Sequence, residues 1–245
     1  MAQAEALQAA EIYLSVQGES SFAGWPCVFV RLAGCPLRCS YCDTAYAFRG
    51  GRRISVEEAL DEVDRLAEPF RKRPTKTRLP LVEVTGGEPL AQPAALPLMR
   101  KLADKGFTVL LETSGALDIG GVDPRVRRIM DIKCPGSGEA ARNRWENIDL
   151  LRPPDEVKFV IGSREDYQWA KETVARFRLT ERCETLFSWA EPPAEPRDPA
   201  LKPPPPGLHP ISRRELAERI LADALPVRFQ IQTHKVIWPP NMRGV

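Results

Sequence analysis

The chain has 245 residues, 43% of them hydrophobic and 28% charged, which is enough to bury the core of one large domain and excludes a disordered polymer. Its 35 Lys and Arg against 33 Asp and Glu leave a formal net charge of +2, so the strongly basic surface of a nucleic-acid binder is not expected. The first twenty residues have neither a basic start nor a long apolar run, and no apolar segment approaches membrane-spanning length; the expectation is a cytoplasmic protein with no membrane partner.

In chain order, PCVFVRL (26–32) is the first strand, an apolar run rich in β-branched and aromatic residues that ends at Ala33-Gly34 and leads into a loop holding three cysteines. Residues 54–70 read as a helix, because Ser55 stands three before Glu58, the spacing of a capping box, and apolar residues follow at helical intervals. LPLVEVTGGEP (79–89) is a strand running into a glycine turn, the next segment becomes helical toward Phe107, and TVLLETSG (108–115) is a strand again. Strands are expected near 128–133, at 155–162 and at 184–190, with a helix over 164–179. EPPAEPRDPALKPPPPGLHP (191–210) is too dense in proline to donate the amide hydrogens of helix or sheet and reads as a surface insertion. A helix over 212–224 and a last strand, VRFQIQTHK (227–235), complete the pattern.

Alternating strands and helices imply an α/β fold with a mainly parallel sheet, and each chemical signal lies just after a strand, where such sheets place their sites. The chain is short for a complete eightfold barrel of ~250 residues plus insertions. The expectation is a partial, open (β/α) barrel, one domain over residues 1–245 with the insertion near 191–210.

Six cysteines stand at positions 27, 35, 39, 42, 134 and 183. In a reducing compartment clustered thiols serve metals rather than disulfides. A structural zinc site needs four ligands, usually as two separated pairs. Here a fourth would have to come from His234 or Cys134, far along the chain. The other material that thiolates hold is an iron–sulfur cluster. In a four-iron cubane, three thiolates leave one iron open to chelate the amino and carboxylate groups of S-adenosylmethionine, whose reductive cleavage yields a radical. The spacing C-x3-C-x2-C over Cys35, Cys39 and Cys42, with Tyr41 before the last cysteine, resembles the signature of the radical S-adenosylmethionine (radical SAM) superfamily. Val84-Thr85-Gly86-Gly87-Glu88-Pro89 adds to this: paired glycines let backbone groups approach a ligand closely, and the superfamily has a similar GGEP turn that receives the methionyl amino group. Cys27, Cys134 and Cys183 read as buried small apolar residues.

Leu14-Ser15-Val16-Gln17-Gly18-Glu19 upstream of WPCVFVRLAGC, the CDT at 42–44 and the late QTHK at 232–235 resemble the 7-carboxy-7-deazaguanine synthase family of the queuosine pathway, from about residue 11 onward. The resemblance implies ring contraction of 6-carboxy-5,6,7,8-tetrahydropterin to 7-carboxy-7-deazaguanine with loss of ammonia. It implies a 4Fe-4S cluster on Cys35, Cys39 and Cys42, S-adenosylmethionine, and Mg2+ on the Thr44 hydroxyl. The substrate would meet Val16, Gln17, Gly18, Arg31 and Thr85, with the planar Arg31 fork suited to a carboxylate. S-adenosylmethionine would meet Tyr41, Cys42, Asp43, Gly87, Asp131, Ile132, Lys133 and Ser188; Asp43 has a competing reading as a helix cap. Asp131-Ile132 replaces the family's Ser-Pro before Lys133, and Ser20 replaces a common Gly. Glu112 has two readings, a ribose contact or a lysine partner, and His234 is either a structural residue or a substrate contact. A homodimer and an electron donor such as flavodoxin or ferredoxin are also implied. Competing readings are a glycyl-radical-activating enzyme, which shares the cysteine loop, and a non-catalytic metal-binding interaction module whose PPPP (203–206) docks a partner.

Overall fold

The strands are β1 (Ala6–Val16), β2 (Pro26–Leu32), β3 (Arg52–Ser55), β4 (Leu81–Gly86), β5 (Val109–Thr113), β6 (Arg127–Asp131), β7 (Glu156–Ile161), β8 (Glu184–Trp189) and β9 (Arg228–Gln230). The helices are α1 (Val56–Ala67), α2 (Ala95–Asp104), α3 (Arg164–Phe177), α4 (Arg213–Ala222) and α5 (Thr233–Ile237). This computed structural model describes residues 6–70, 79–192, 198–239 and 242–245. All nine strands form one sheet in the order β3-β1-β2-β4-β5-β6-β7-β8-β9. From β2 to β9 every pairing is parallel, while β1 runs antiparallel to both β2 and β3. The expected α/β architecture with a mainly parallel, open sheet is present. Among the described residues no helix is long and apolar enough to cross a membrane.

Two-residue alternation explains where the site lies. Val28, Val30 and Leu32 of β2 and Val82 and Val84 of β4 point outward into a core covered by α1 and α2, with Leu60, Val63, Leu98 and Leu102. The inward series begins apolar, with Cys27, Phe29, Leu81, Leu110 and Ile129 in a cluster of their own. Farther along the same strands the inward positions become Arg31, Glu83, Thr85, Glu112, Asp131 and Lys158, which line a cavity. A second outer core, under α3 and α4, gathers Val157, Phe159, Ile161, Phe187, Tyr167 and Leu216.

Helix α1 carries the expected capping box: Glu58 N–H donates to Ser55 Oγ at 3.1 Å and Ser55 N–H to Glu58 Oε2 at 2.7 Å. The structure departs from expectation at both ends of the chain. Residues 6–16, not expected as a strand, pair with β2 and β3. The final strand is only three residues long, and QTHK enters α5 instead. Gln230 explains the break: its side chain accepts from Ser20 N–H at 3.0 Å and donates to Ser20 O at 2.8 Å, after which Thr233 N–H turns to Gly18 O at 3.0 Å. Within the proline-rich stretch, 193–197 lie outside the described residues. The remainder is tied down: Lys202 N–H donates to Arg38 O at 3.0 Å in the cysteine loop, and His209 N–H to Glu165 Oε2 at 2.8 Å.

Candidate functional site

Past Leu32, Gly34 adopts φ +90 and donates its N–H to Ala47 O at 2.7 Å, which turns the chain back and brings Cys35, Cys39 and Cys42 to one wall of a cavity of about 480 Å³. The loop is held from below by the segment after β6. Ser40 N–H donates to Ser137 O at 2.9 Å, Ser40 Oγ to Gly136 O at 2.6 Å, and Arg38 N–H to Glu139 Oε1 at 2.7 Å. Arg38 adds two bonds to the loop's own carbonyls, Cys35 O at 2.7 Å and Leu37 O at 2.6 Å, with its guanidinium 4.3 Å above the Phe48 ring. Burial pushes all three thiols up, Cys39 to about 12, against the pull of Lys133. Thiols in such surroundings ionise when they coordinate a cation. Among the described residues no three His, Cys, Asp or Glu side chains converge on a single-ion site. A cubane asks for no such convergence, since each thiolate takes a different iron.

The glycine turn packs against this loop more tightly than its sequence suggests. A Cβ on Gly86, at φ +148, would lie 2.1 Å from Leu32 O, and one on Gly87 would lie 2.2 Å from Gly34 O and 2.9 Å from Cys35 Cβ. The space a Cβ would need is taken at Gly86 by the Leu32 backbone of β2 and at Gly87 by the cysteine loop. Gly87 still reaches the cavity wall, and Glu88 N–H donates to Gly34 O at 2.8 Å. The fully buried Glu88 carboxylate then ties this turn to the end of β5 through Thr113 Oγ1 at 2.9 Å, Ser114 N–H at 2.8 Å and Ser114 Oγ at 2.5 Å.

The same cavity is lined by a row of buried ions. Lys158 Nζ, on a side chain 3% exposed, meets Glu19 at 2.9 Å and Asp131 at 3.9 Å and also pairs with Glu112. Burial works to raise the Glu19 carboxyl, but Lys158, His234 and Gln232 bring it down to about 2. Asp131 Oδ2 takes Lys133 Nζ at 2.8 Å, while its Oδ1 is buried without a hydrogen-bond partner among the described residues. An orphaned acceptor on a cavity wall suits a ligand that brings a hydroxyl or ammonium donor.

Of the expected site residues, Val16, Gln17, Gly18, Arg31, Thr85, Tyr41, Asp43, Thr44, Gly87, Asp131 and Lys133 all line this cavity with the three cysteines. Two do not. Ile132 follows the alternation outward into the core with Met130 and Cys134, and its N–H is spent on Lys158 O at 2.9 Å. Ser188 is fully buried on β8, its Oγ without a hydrogen-bond partner among the described residues, and it does not reach the cavity wall. Asp43 caps no helix; it pairs with Lys235 at 2.7 Å, which with His234 and Arg31 overcomes burial and holds its carboxyl well below the usual range. The Arg31 fork is already half engaged, Nε with Glu11 at 3.0 Å and Nη2 with the Tyr13 hydroxyl at 2.8 Å, and its Nη1 has no hydrogen-bond partner among the described residues. Thr85 Oγ1 donates to Glu112 at 3.4 Å, and Thr44 Oγ1 lies 3.7 Å from Cys42 Sγ. Glu112 is a lysine partner, and His234 packs against Gly18, whose absent Cβ would fall 2.4 Å from Nδ1. Ser20, where the family commonly has Gly, adopts φ +63, the left-handed conformation that favours Gly. Its Oγ accepts from Phe22 N–H at 3.1 Å. Glu83 and Lys158 were missed, and Glu19 was given no role though it stands in the segment from Leu14 to Glu19; the available signal for the first two was a lone ionisable residue inside an otherwise apolar strand, in LVEVT and VKFVI.

The radical SAM superfamily model matches residues 30–180. A 7-carboxy-7-deazaguanine synthase from Koribacter versatilis is 43% identical over 98% of this chain and 100% of that protein, and one from Chlorobaculum tepidum is 43% identical over 98% and 97%. QueE from Escherichia coli superimposes with a TM-score of 0.68 at 22% identity, covering 94% of this chain and 95% of that one. SuiB from Streptococcus suis bound to S-adenosylmethionine gives 0.56 at 13% identity over 81% and 48%. These two likenesses show a shared fold, the three thiols and the glycine turn stand together on one cavity, and the sequence matches run nearly end to end: the chain belongs to the radical SAM superfamily and, within it, to the 7-carboxy-7-deazaguanine synthases.

Proposed function

We propose that the protein converts 6-carboxy-5,6,7,8-tetrahydropterin to 7-carboxy-7-deazaguanine with loss of ammonia, as a step in queuosine or other 7-deazapurine synthesis. The observation that carries this reading is a single cavity lined by the three thiols together with Gln17, Arg31 and Thr85, in a chain whose relatives bear that enzyme's name over nearly their full length.

The residues fit the cofactors of the superfamily. Cys35, Cys39 and Cys42 would hold three irons of a 4Fe-4S cluster, and Tyr41, Gly87, Asp131 and Lys133 would face S-adenosylmethionine, with the orphaned Asp131 Oδ1 taking a donor from it. Bound and reduced, the pair supplies a carbon-centred radical able to abstract hydrogen from the substrate. The chain's own residues do the positioning. Arg31 offers Nη1 to the substrate carboxylate, with its charge held in place by Glu11 and Tyr13. The Thr44 hydroxyl offers an oxygen ligand to Mg2+, a cation that keeps several waters and needs few protein ligands. Lys158, bound to carboxylates on both sides, keeps its proton and offers a fixed positive charge rather than an acid. Cytoplasmic residence, a homodimer, and reduction by a flavodoxin- or ferredoxin-type donor belong to the same reading.

The test is anaerobic turnover by reconstituted protein with reductant, Mg2+, S-adenosylmethionine and the carboxypterin, read by mass spectrometry. Many deazaguanine molecules per S-adenosylmethionine consumed is the expected result. Cleavage of S-adenosylmethionine without deazaguanine would discard the substrate.

A further inference from the structure

Glu83 is a buried carboxyl group with no part in the positioning described above. It stands on β4 between Val82 and Val84, which point outward, so its side chain points into the barrel beside Phe29 and Thr85; it is 1% exposed yet reaches the cavity wall. Its hydrogen-bond partner is the side chain of Gln17, whose Nε2 donates to Glu83 Oε2 at 2.5 Å. Burial first, then the nearby Glu112 and Glu19, against the pull of Gln17 and Lys158, push the Glu83 carboxyl well above the usual range.

The Gln17 carboxamide is thereby held at both ends. Its Oε1 accepts from Glu19 N–H at 2.5 Å and its Nε2 is taken by Glu83. Turning the amide over would set Nε2 against the Glu19 N–H, donor against donor. A carboxamide has two N–H donors and two acceptor lone pairs. One of each is used here, which leaves one of each on the cavity wall that Gln17 lines. An N–H beside a lone pair is the complement of a lactam edge, in which one ring N–H donates and the adjacent carbonyl accepts.

We propose that Glu83 is a positioning residue for substrate recognition: it locks Gln17 in the one orientation that presents this donor–acceptor pair to the lactam edge of a pterin. The inference rests on the pterin reading above. It separates Glu83 from the ions around Lys158, since its task needs an acceptor and no charge.

The experiment is anaerobic calorimetric titration of the cluster-loaded protein, with S-adenosylmethionine and no reductant, by 6-carboxy-5,6,7,8-tetrahydropterin. Glu83→Gln keeps the acceptor and should bind within about twofold of the unaltered protein, whereas Glu83→Met, of similar length but without an acceptor, should bind about tenfold more weakly. In turnover the loss should fall on KM with kcat retained. In a Gln17→Ala background, Glu83→Met should add nothing, the mark of two residues acting as one. Iron per chain and melting temperature check folding and loading, and Glu83→Ala replaces the Met variant if that one does not load. Equal binding by the Met variant, equal weakening by the Gln variant, or additive losses with Gln17→Ala would each overturn this inference alone. No pterin binding by the loaded, unaltered protein would overturn the substrate reading and this inference with it.

Discussion

Replacing Gly87 with Ala tests whether the glycine turn exists to let the cysteine loop close. The added Cβ would sit 2.2 Å from Gly34 O, 2.6 Å from Gly34 C and 2.9 Å from Cys35 Cβ, so it needs about 0.8 Å of displacement to reach even a 3.0 Å contact, and the obstacles are mainly backbone. Relief has to come from separating the turn from the loop, because Leu32 on the other side is fixed in β2. That separation stretches Gly87 N–H to Leu32 O, now 2.9 Å, and Glu88 N–H to Gly34 O, now 2.8 Å. Overpacking of this kind costs about 1–3 kcal/mol, and each weakened bond roughly 1 kcal/mol more. The total is of the order of 3–5 kcal/mol, no more than the stability of most domains but enough to displace a loop. The expected outcome is a folded protein with near-normal circular dichroism that retains well under half of its iron after anaerobic reconstitution and desalting. Gly34→Ala is the control. Gly34 has φ +90 but no atom of the described residues within 4 Å of a Cβ, so it bears only the conformational penalty of about 1–2 kcal/mol and should keep more iron. Equal iron retention by Gly87→Ala and the unaltered protein, at an unchanged melting temperature, would refute the argument that the turn and loop need this closeness.

Glu88→Ala leaves Thr113 Oγ1, Ser114 N–H, Ser114 Oγ and Leu90 N–H without their common acceptor in a fully buried site, and denaturant unfolding should show a loss of roughly 3–5 kcal/mol. Ser20→Ala keeps the φ of +63 and loses the bond from Phe22 N–H, so it should destabilise by about 1 kcal/mol, while Ser20→Gly, which also relieves the conformational penalty, should fall less by the same assay. Glu19 has a folded value near 2 against an ordinary 4.5, so its contribution to stability is complete above pH 4.5 and is lost as pH falls toward 2. Melting temperature recorded from pH 5 down to pH 2 should therefore decline, and Glu19→Gln should flatten part of that decline.

The elements legible in the sequence are those whose signal is local. The apolar run of β2 is buried on both faces, as parallel strands are, and Ser55 with Glu58 marks the start of α1 within four residues. Strand β1 was not legible because most of its residues are only half buried, so neither a clean alternation nor a solid apolar run marks it. VRFQIQTHK alternates well enough to read as one strand, but Ser20, more than two hundred residues earlier, claims Gln230 and ends the strand. The same division holds at the site. The three cysteines and Gly87 belong to motifs with fixed spacing and reach the cavity together. Glu83, Glu112, Asp131 and Lys158 come from four different strands, one from each, and become a group only when those strands lie side by side. The Ile132 side chain faces the outer core, which a motif aligned on Lys133 could not tell, because such a motif carries no information about which face of the sheet its neighbours occupy.

The lip of the cavity at Gly18 and Ser20 takes its shape from Gln230 and Thr233. On a ribosome this imposes an order of events. The first clamps on the cysteine loop end at Glu139, the bond from Lys202 follows about sixty positions later, and the residues that close the lip are made about ninety positions after Glu139. At ~5–20 residues per second that interval is roughly 5–20 s. For that time the nascent chain holds a thiol loop with only its first clamps made, beside a cradle that still lacks Gln230 and Thr233.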